Sequence, residues 1–450
     1  MNSGTLDVIT IDEAGSLPGL FQVRVKRTPE AIAYRYYDSK TDTWEALTWK
    51  ECAEKICSIQ AAIARENLNT GDRVAILLRN CPHWVFFEQA AMSMGMVVVP
   101  LYVNDRAENV AYVLQNAGVK LLFLENESTL NELETIASQL QGLLRIISLT
   151  PCSKNVSYHE LISLDDWLQP EAKAPDLPEI NIDDMATLVY TSGTTGSPKG
   201  VMLSHRNILF NASVALELFP IYKEDVLLSF LPLSHMLERT LGYYIPVMCG
   251  STVAYAHSVQ TLSSDLLTQR PTIIISVPRI YDKIYNKILT KLQSQSPFRQ
   301  KLFHYTVELG WKRFLRGGGA TLPWLILKTL VAKKITARLG GKLRLAICGG
   351  ASLAPDVAKT FIGLGLNLIQ GYGLTETSPI ISGNPAENND PSSVGIAMPG
   401  IEIKTINDEL LVRSPSNMIG YWNDTEATKE IIDSEGWLHT GDKVNIKNGQ

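Results

Sequence analysis

Cysteine is scarce and unpatterned in this chain of 450 residues. Its six cysteines, Cys52, Cys57, Cys81, Cys152, Cys249 and Cys348, form no C-x-x-C pair and no Cys/His cluster with zinc spacing. That excludes a zinc ribbon, and the expectation is reduced, buried thiols of a cytosolic enzyme. Long apolar runs are missing too. The longest, Met92 to Val103, is about 12 residues, short of the ~18 that a membrane-spanning helix needs, and reads as a buried strand with its flanks. The opening stretch MNSGTLDVITIDEAG has no basic segment and no apolar core, so no secretory signal is expected. Charge is modest, 19% of residues with a formal net of −5, which argues against a nucleic-acid partner. No internal repeat is present.

What is there is a globular composition, 45% hydrophobic, on a length that a prior of ~150 residues per domain divides into about three units or one large multi-lobed domain. Helical and strand signals alternate through the first part. Trp49 to Glu66 has apolar residues at helical spacing, and Arg73 to Leu78 is a short apolar run after the turn Thr70-Gly71-Asp72. Trp84 to Met94 reads as helix, Val97 to Leu101 as strand, Glu108 to Ala117 as helix and Val119 to Leu124 as strand. This alternation predicts an α/β fold with parallel strands covered by helices on both faces. Lys154 to Asp184, polar and proline-bearing, reads as an exposed connection. Ile401 to Lys404 and Glu409 to Val412 carry short strand signals that predict a small β-rich lobe near the end.

The strand expected at Ala186 to Tyr190 runs into Thr191-Ser192-Gly193-Thr194-Thr195-Gly196-Ser197-Pro198-Lys199-Gly200. Glycines let backbone N–H groups turn towards an anion, hydroxyls donate to phosphate oxygens, and Lys199 adds a positive charge. A helix is expected next, with Ser204 as its N-cap. Pro198 stands where a Walker A loop needs its second glycine, so a P-loop kinase or GTPase is disfavoured. By composition alone, a flexible linker remains open. The run TSGTTGSPKG closely resembles the signature loop of the adenylate-forming superfamily, which includes acyl-CoA ligases, luciferases and peptide-synthetase adenylation domains.

Three further segments resemble motifs of that family, in the same order along the chain. At Gly349-Gly350-Ala351-Ser352 a buried strand ends in a Gly-Gly turn, which taken alone is also an ordinary strand-to-helix turn with Pro355 at the helix start. The resemblance places it beside adenine. In Gln370-Gly371-Tyr372-Gly373-Leu374-Thr375-Glu376, Tyr372 is able to stack on a base, Thr375 to bond a phosphate oxygen and Glu376 to hold Mg²⁺, a hard cation that prefers oxygen ligands. A loop glutamate is more often simply solvated; the match to YG-x-TE assigns it to the metal, together with Thr191. In Gly436 to Asp442 the resemblance gives Asp442 the ribose hydroxyls. It also implies that Phe230-Leu231-Pro232-Leu233-Ser234-His235-Met236-Leu237-Glu238-Arg239 borders the acyl site, with His235 near the reacting carboxylate, although a hydrogen-bonded core histidine reads the same way.

The resemblance therefore implies ATP- and Mg²⁺-dependent activation of a carboxylic acid, with Lys199, Thr191, Glu376 and His235 as the catalytic set. Ser192, Gly193, Thr194, Thr195, Gly350, Ala351, Ser352, Gln370, Gly371, Tyr372, Gly373, Thr375 and Asp442 join Thr191 and Lys199 around the nucleotide. After Val277 to Tyr281 comes a long helical insertion, 283–344, similar to those of long-chain fatty acyl ligases. It holds fourteen Lys and Arg against one acid, Glu308, a net of +13 in a chain of −5. With Trp311, Phe314, Leu315 and the run Trp324 to Leu327, it suits an anionic membrane surface or an acidic carrier protein, or else is a solvated helical excursion. The acceptor thiol is coenzyme A, with acyl-carrier protein as the alternative. The expected architecture is one adenylation domain over 1–450: two helix-flanked sheets and a small distorted β-barrel lobe, with subdomains near 1–185, 186–380 and 381–450. The family's C-terminal domain is expected to be missing, leaving a fragment that holds nucleotide or acyl group with little turnover. The expected location is the cytoplasm, with peripheral contact on the inner face of a membrane.

Overall fold

The computed structural model describes residues 4–133, 136, 142–151, 161–169, 175–191, 197–319 and 321–450. Among them the strands form three sheets. The eight-stranded sheet runs, edge to edge, Gly420–Tyr421, Lys199–Ser204, Met185–Thr191, Val97–Pro100, Arg73–Leu77, Val119–Leu124, Arg145–Ser148 and Leu161–Ser163. Its last six strands pair in parallel, and the first three are joined antiparallel. The nine-stranded sheet runs Ile396–Ala397, Ile380–Gly383, Leu368–Gly373, Leu345–Cys348, Ile273–Ser276, Val226–Ser229, Thr252–Tyr255, Ile32–Asp38 and Thr43–Thr48. The two sheets do not divide the chain into consecutive blocks. Ile32–Asp38, from the first fifty residues, pairs in parallel with Thr252–Tyr255.

The parallel strands are short apolar runs because helices cover both faces of their sheet. All four residues of Val97–Pro100, Ile273–Ser276 and Leu345–Cys348 are buried. The helix expected from Trp49 occupies Trp49–Ile63 and starts at a capping box: Thr48 Oγ1 accepts the Glu51 N–H while Glu51 accepts the Thr48 N–H. Ser204 caps His205–Leu218 in the same manner with Asn207. Between the glycine-rich loop and that helix lies a strand the sequence reading had not placed, Lys199–Ser204, so the loop closes a hairpin instead of opening a helix. The β-rich lobe takes the form of a three-stranded antiparallel sheet, Glu402–Ile406, Glu409–Arg413 and Leu438–Lys443. Its tight turn puts Asn407 and Asp408 both at positive φ, 51° and 67°, which matches the strand twist in a two-residue hairpin.

The insertion is helical as expected: Pro278–Gln293, Pro297–Leu315, Leu322–Leu327, a widened π turn at Lys328–Ala332, and Lys333–Thr336. Among the described residues no helix is long and apolar enough to cross a membrane. Cys52, Cys57, Cys81, Cys249 and Cys348 are free, and Cys152 lies outside the described residues.

Candidate active site

A cavity of about 490 Å³ opens where the two large sheets and the small lobe meet. Thr191 and Lys199 are register partners at the mouth of the hairpin, and both line it. The tip of that hairpin, with Ser192, Gly193, Thr194 and Thr195, lies outside the described residues. The Lys199 ammonium forms no ion pair among the described residues; its Nζ sits 5.0 Å from the centroid of the Tyr421 ring. The strand Leu345–Cys348 ends at the cavity with Gly349 and Gly350. Gly350 has φ of +79°, which a side chain would strain, so the bare backbone faces the opening. Ala351 and Ser352 follow as exposed residues outside the lining.

Gly371 to Glu376 form one wall. The Tyr372 hydroxyl donates to Asp442 Oδ2 at 2.6 Å, joining the nine-stranded sheet to the small lobe. Asp442 itself is exposed at the rim. Burial and the Asp442 carboxylate push the Tyr372 phenol well above its ordinary range. Gln370 lies behind the wall: its Oε1 accepts the Leu353 N–H (3.0 Å) and its Nε2 donates to the Pro391 carbonyl (2.9 Å). Glu376 sits half-buried on the turn Thr375–Thr377, and its Oε1 accepts the Tyr421 hydroxyl at 2.9 Å. No three His, Cys, Asp or Glu side chains among the described residues cluster to hold a metal alone. A single carboxylate, Glu376, lining the same cavity as Thr191 nevertheless fits Mg²⁺, which keeps waters and takes its other ligands from phosphate.

The opposite wall is apolar: Phe219, Leu237, Leu241, Ile347 and Ile380, with Cys348, whose thiol burial pushes up to about 12. His235 opens onto the cavity at the start of the short helix Met236–Glu238. Its Nδ1 accepts the Leu237 N–H (3.2 Å), which leaves Nε2 as the donor of the neutral ring. The protein crowded around it holds the imidazole below its usual range. Behind this wall Arg239 and Glu88 form a fully buried ion pair. Arg239 Nη1 donates to Thr187 Oγ1 at 2.8 Å, and Tyr244 donates to Glu88 Oε1 at 3.0 Å. This ties the helix Pro82–Ser93 and the strand Met185–Thr191 to the segment that carries Leu237 and Leu241.

Motif reading had named Thr191, Lys199, His235, Gly350, Gly371, Tyr372, Gly373, Thr375 and Glu376 among the residues that now share one lining. Leu237 falls in the segment expected to border the acyl site, whereas Tyr421, Phe219 and Leu241 lie outside every motif, because a tyrosine after glycine or a leucine in an apolar run carries no chemical signal until the fold places it.

Such a cleft, with a phosphate-suited hairpin facing a tyrosine–glutamate turn and an apolar wall, defines an α/β nucleotide-binding domain of the adenylate-forming type. The chain belongs to the AMP-binding enzyme family, whose profile matches residues 21–422. It is 32% identical to the peroxisomal long chain acyl-CoA synthetase 6 of Arabidopsis thaliana, over 90% of this chain and 60% of that protein. It is 29% identical to the long-chain-fatty-acid–CoA ligase FadD15 of Mycobacterium bovis, over 96% of this chain and 72% of that one. The chain thus spans about three fifths of the length of the Arabidopsis synthetases 6 and 7. Its fold is similar to that of the anthranilate CoA ligase AuaEII in complex with anthranoyl-AMP, with a TM-score of 0.76 at 18% identity, covering 96% of this chain and 75% of that one. The N-terminal domain of FACL13 from Mycobacterium tuberculosis gives 0.71 at 21% identity, covering 96% and 97%.

Proposed function

We propose that this chain binds ATP and a long-chain fatty acid in one cleft and activates the acid as an acyl-adenylate for transfer to the thiol of coenzyme A. The observation that carries the reading is that Thr191, Lys199 and Glu376 line the same cavity as Phe219, Leu237 and Leu241. A carboxylate oxygen attacks the α-phosphorus, an O–P bond forms, and the bond to pyrophosphate breaks. The thiol then attacks the acyl carbonyl and AMP leaves. Both partners of the first step are anionic, so the site has to neutralise and align them. Lys199 supplies a positive charge that forms no ion pair among the described residues. His235, held neutral, offers an N–H to the acid without adding charge. The Gly349–Gly350 backbone and Tyr372 leave room for a flat base, and Asp442 stands at the rim for the ribose hydroxyls. Mg²⁺, held by Glu376 and Thr191, would supply further neutralisation of the phosphates. The test is fatty-acid-dependent exchange of pyrophosphate into ATP across a series of chain lengths. Exchange with long acids and little with acetate is the expected result; exchange that ignores the acid added would overturn the reading.

The second part of the reading is docking on an anionic lipid surface through the insertion. From Leu322 to Arg338 the buried side is Trp324, Leu327 and Ala332, while Leu322, Leu325, Ile326 and Leu330 are 72%, 47%, 50% and 53% exposed. Lys333, Lys334 and Arg338 continue the same outer side one and two turns on, and all are exposed. A face apolar at one end and basic at the other suits insertion among acyl chains with the cations at the headgroups. The one acid of the insertion, Glu308, is already paired with Lys359 at 2.8 Å. Sedimentation with phosphatidylglycerol vesicles should be strong at low salt and lost near ~1 M, where screening shrinks to about 3 Å. L325E/I326E should abolish it. Salt-sensitive binding to an acidic carrier protein, with none to vesicles, would replace the lipid by that partner.

A further inference from the structure

One short segment, Met418 to Trp422, touches both charged groups of the cleft. Its backbone is fixed at each end. The Met418 N–H donates to the Glu376 carbonyl at 2.8 Å, and the Trp422 N–H donates to the Gly200 carbonyl at 2.7 Å. Between them Gly420–Tyr421 adds an edge strand to the hairpin, with Gly420 opposite Met202 and Tyr421 opposite Val201. Lys199 and Val201 lie two residues apart and share a face of their strand, so Tyr421 is the diagonal neighbour of Lys199. Gly420 is required there: at φ +152° its Cβ position lies 2.8 Å from the Thr428 methyl. Tyr421 is anchored further by its N–H, which donates to Thr428 Oγ1 at 2.9 Å.

The Tyr421 side chain then serves two partners at once. Its hydroxyl donates to Glu376 Oε1 at 2.9 Å, and its ring lies 5.0 Å from the Lys199 ammonium. Oε2 of Glu376 receives no hydrogen bond among the described residues, so one carboxylate oxygen is fixed and the other is left for a cation. Building on the proposed nucleotide site, we infer that Tyr421 is a positioning residue that locks the Glu376 carboxylate and the Lys199 ammonium at a set separation, presenting both to a Mg²⁺–triphosphate. The donated hydrogen bond orients the metal-binding oxygen, and the ring face holds the ammonium against swinging into solvent. Both contacts go to Glu376 and Lys199 and neither to Phe219, Leu237 or Leu241, so the role inferred is on the nucleotide side.

Y421F keeps the ring and removes the hydroxyl; Y421L removes both. Isothermal titration with Mg·ATP, together with pyrophosphate exchange at varied Mg²⁺ and varied fatty acid, separates the roles. The expected result is about tenfold weaker Mg·ATP binding for Y421F, the scale of one hydrogen bond to a charged group. Y421L should weaken it about threefold more, the scale of an exposed cation–π contact. The KM for fatty acid should be unchanged in both, and thermal unfolding of Y421F should match the wild type. In an E376Q background Y421F should add almost nothing, since the two act as one unit. Wild-type Mg·ATP binding with Y421F equal to it, or a Y421F loss that persists undiminished on E376Q, overturns the inference alone. A wild-type protein that binds no Mg·ATP overturns the nucleotide reading and this inference with it.

Discussion

Two glutamates, one lining this cleft and one buried behind its apolar wall, live under opposite rules. Glu376, at the nucleotide rim, is half-buried, lies on a short turn, and has one oxygen held by Tyr421. Glu238 lies between Leu237 and Leu241, which line the apolar wall, but its own side chain is turned away from solvent with 1% exposure. Among the described residues neither of its oxygens has a hydrogen-bond partner in good geometry. Burial, opposed only by a weak Ser229 contact, pushes its carboxyl up to about 8. The backbone after it widens into a π turn, Arg239–Tyr244, and a Cβ on Gly242 would meet Glu238 Oε1 at 2.5 Å. The adjacent Arg239 does not rescue it, because that guanidinium is committed to Glu88. One carboxylate is thus open to the cavity with a partner on one oxygen, and the other is sealed from solvent and holds its proton. Water access and partners, rather than residue type, decide which.

That contrast breaks most visibly at Glu376. E376Q keeps the shape and removes the charge, and adenylate formation should fall about 10²- to 10³-fold, the scale of losing one pre-organised electrostatic group. Pyrophosphate exchange at saturating Mg²⁺ measures it. E238Q in the same assay near pH 7 should stay close to the wild type, because the group it replaces is already uncharged. Equal losses in the two variants would erase the distinction.

The next effect is on stability. A carboxyl raised from an unfolded value of 4.5 to about 8 in the folded protein binds its proton more tightly when folded. Its contribution to stability is therefore full below pH 4.5 and is lost as pH rises through 8. Relative to the wild type, E238Q should gain on the order of 5 kcal/mol between about pH 4.5 and pH 8. Denaturant unfolding of both proteins at several pH values reads the gap directly. A gap independent of pH would mean that Glu238 is ionised in the folded state.

Smaller still is the rim contact between sheet and lobe. D442A removes the acceptor of the Tyr372 hydroxyl and the group offered to ribose, and AMP should bind about tenfold more weakly. Fatty-acid affinity should not change. Titration of AMP and of fatty acid separately shows whether the lobe serves the nucleotide alone.

The rim was largely legible before the fold was known, and the apolar wall only in part: Leu237 falls in the segment expected to border the acyl site, while Phe219 and Leu241 carry no signal in sequence. Thr191, Lys199 and Glu376 stand in runs whose residue types are unusual together, so chemistry alone singled them out. The basic insertion was legible as a charge count, and Ser204 as a cap. Lys199–Ser204 was missed as a strand, because a hydroxyl-rich loop ending in Pro-Lys-Gly gives no periodicity, and its partner is the strand before the loop. Tyr421 was missed because its importance rests on a pairing 220 residues away in sequence, with Val201. Gln370 shows the converse. It sits inside a motif, yet its amide is spent on Leu353 and Pro391, contacts that no local pattern encodes.

The most direct test of a shared nucleotide and acyl cleft is isothermal titration with a non-hydrolysable long-chain acyl-adenylate analogue, set beside AMP and the acetyl analogue. The account predicts one site per chain, with the long-chain analogue bound tightest and competing with both ATP and fatty acid. Equal affinity for the long-chain and acetyl analogues, or binding that fatty acid cannot displace, would contradict it.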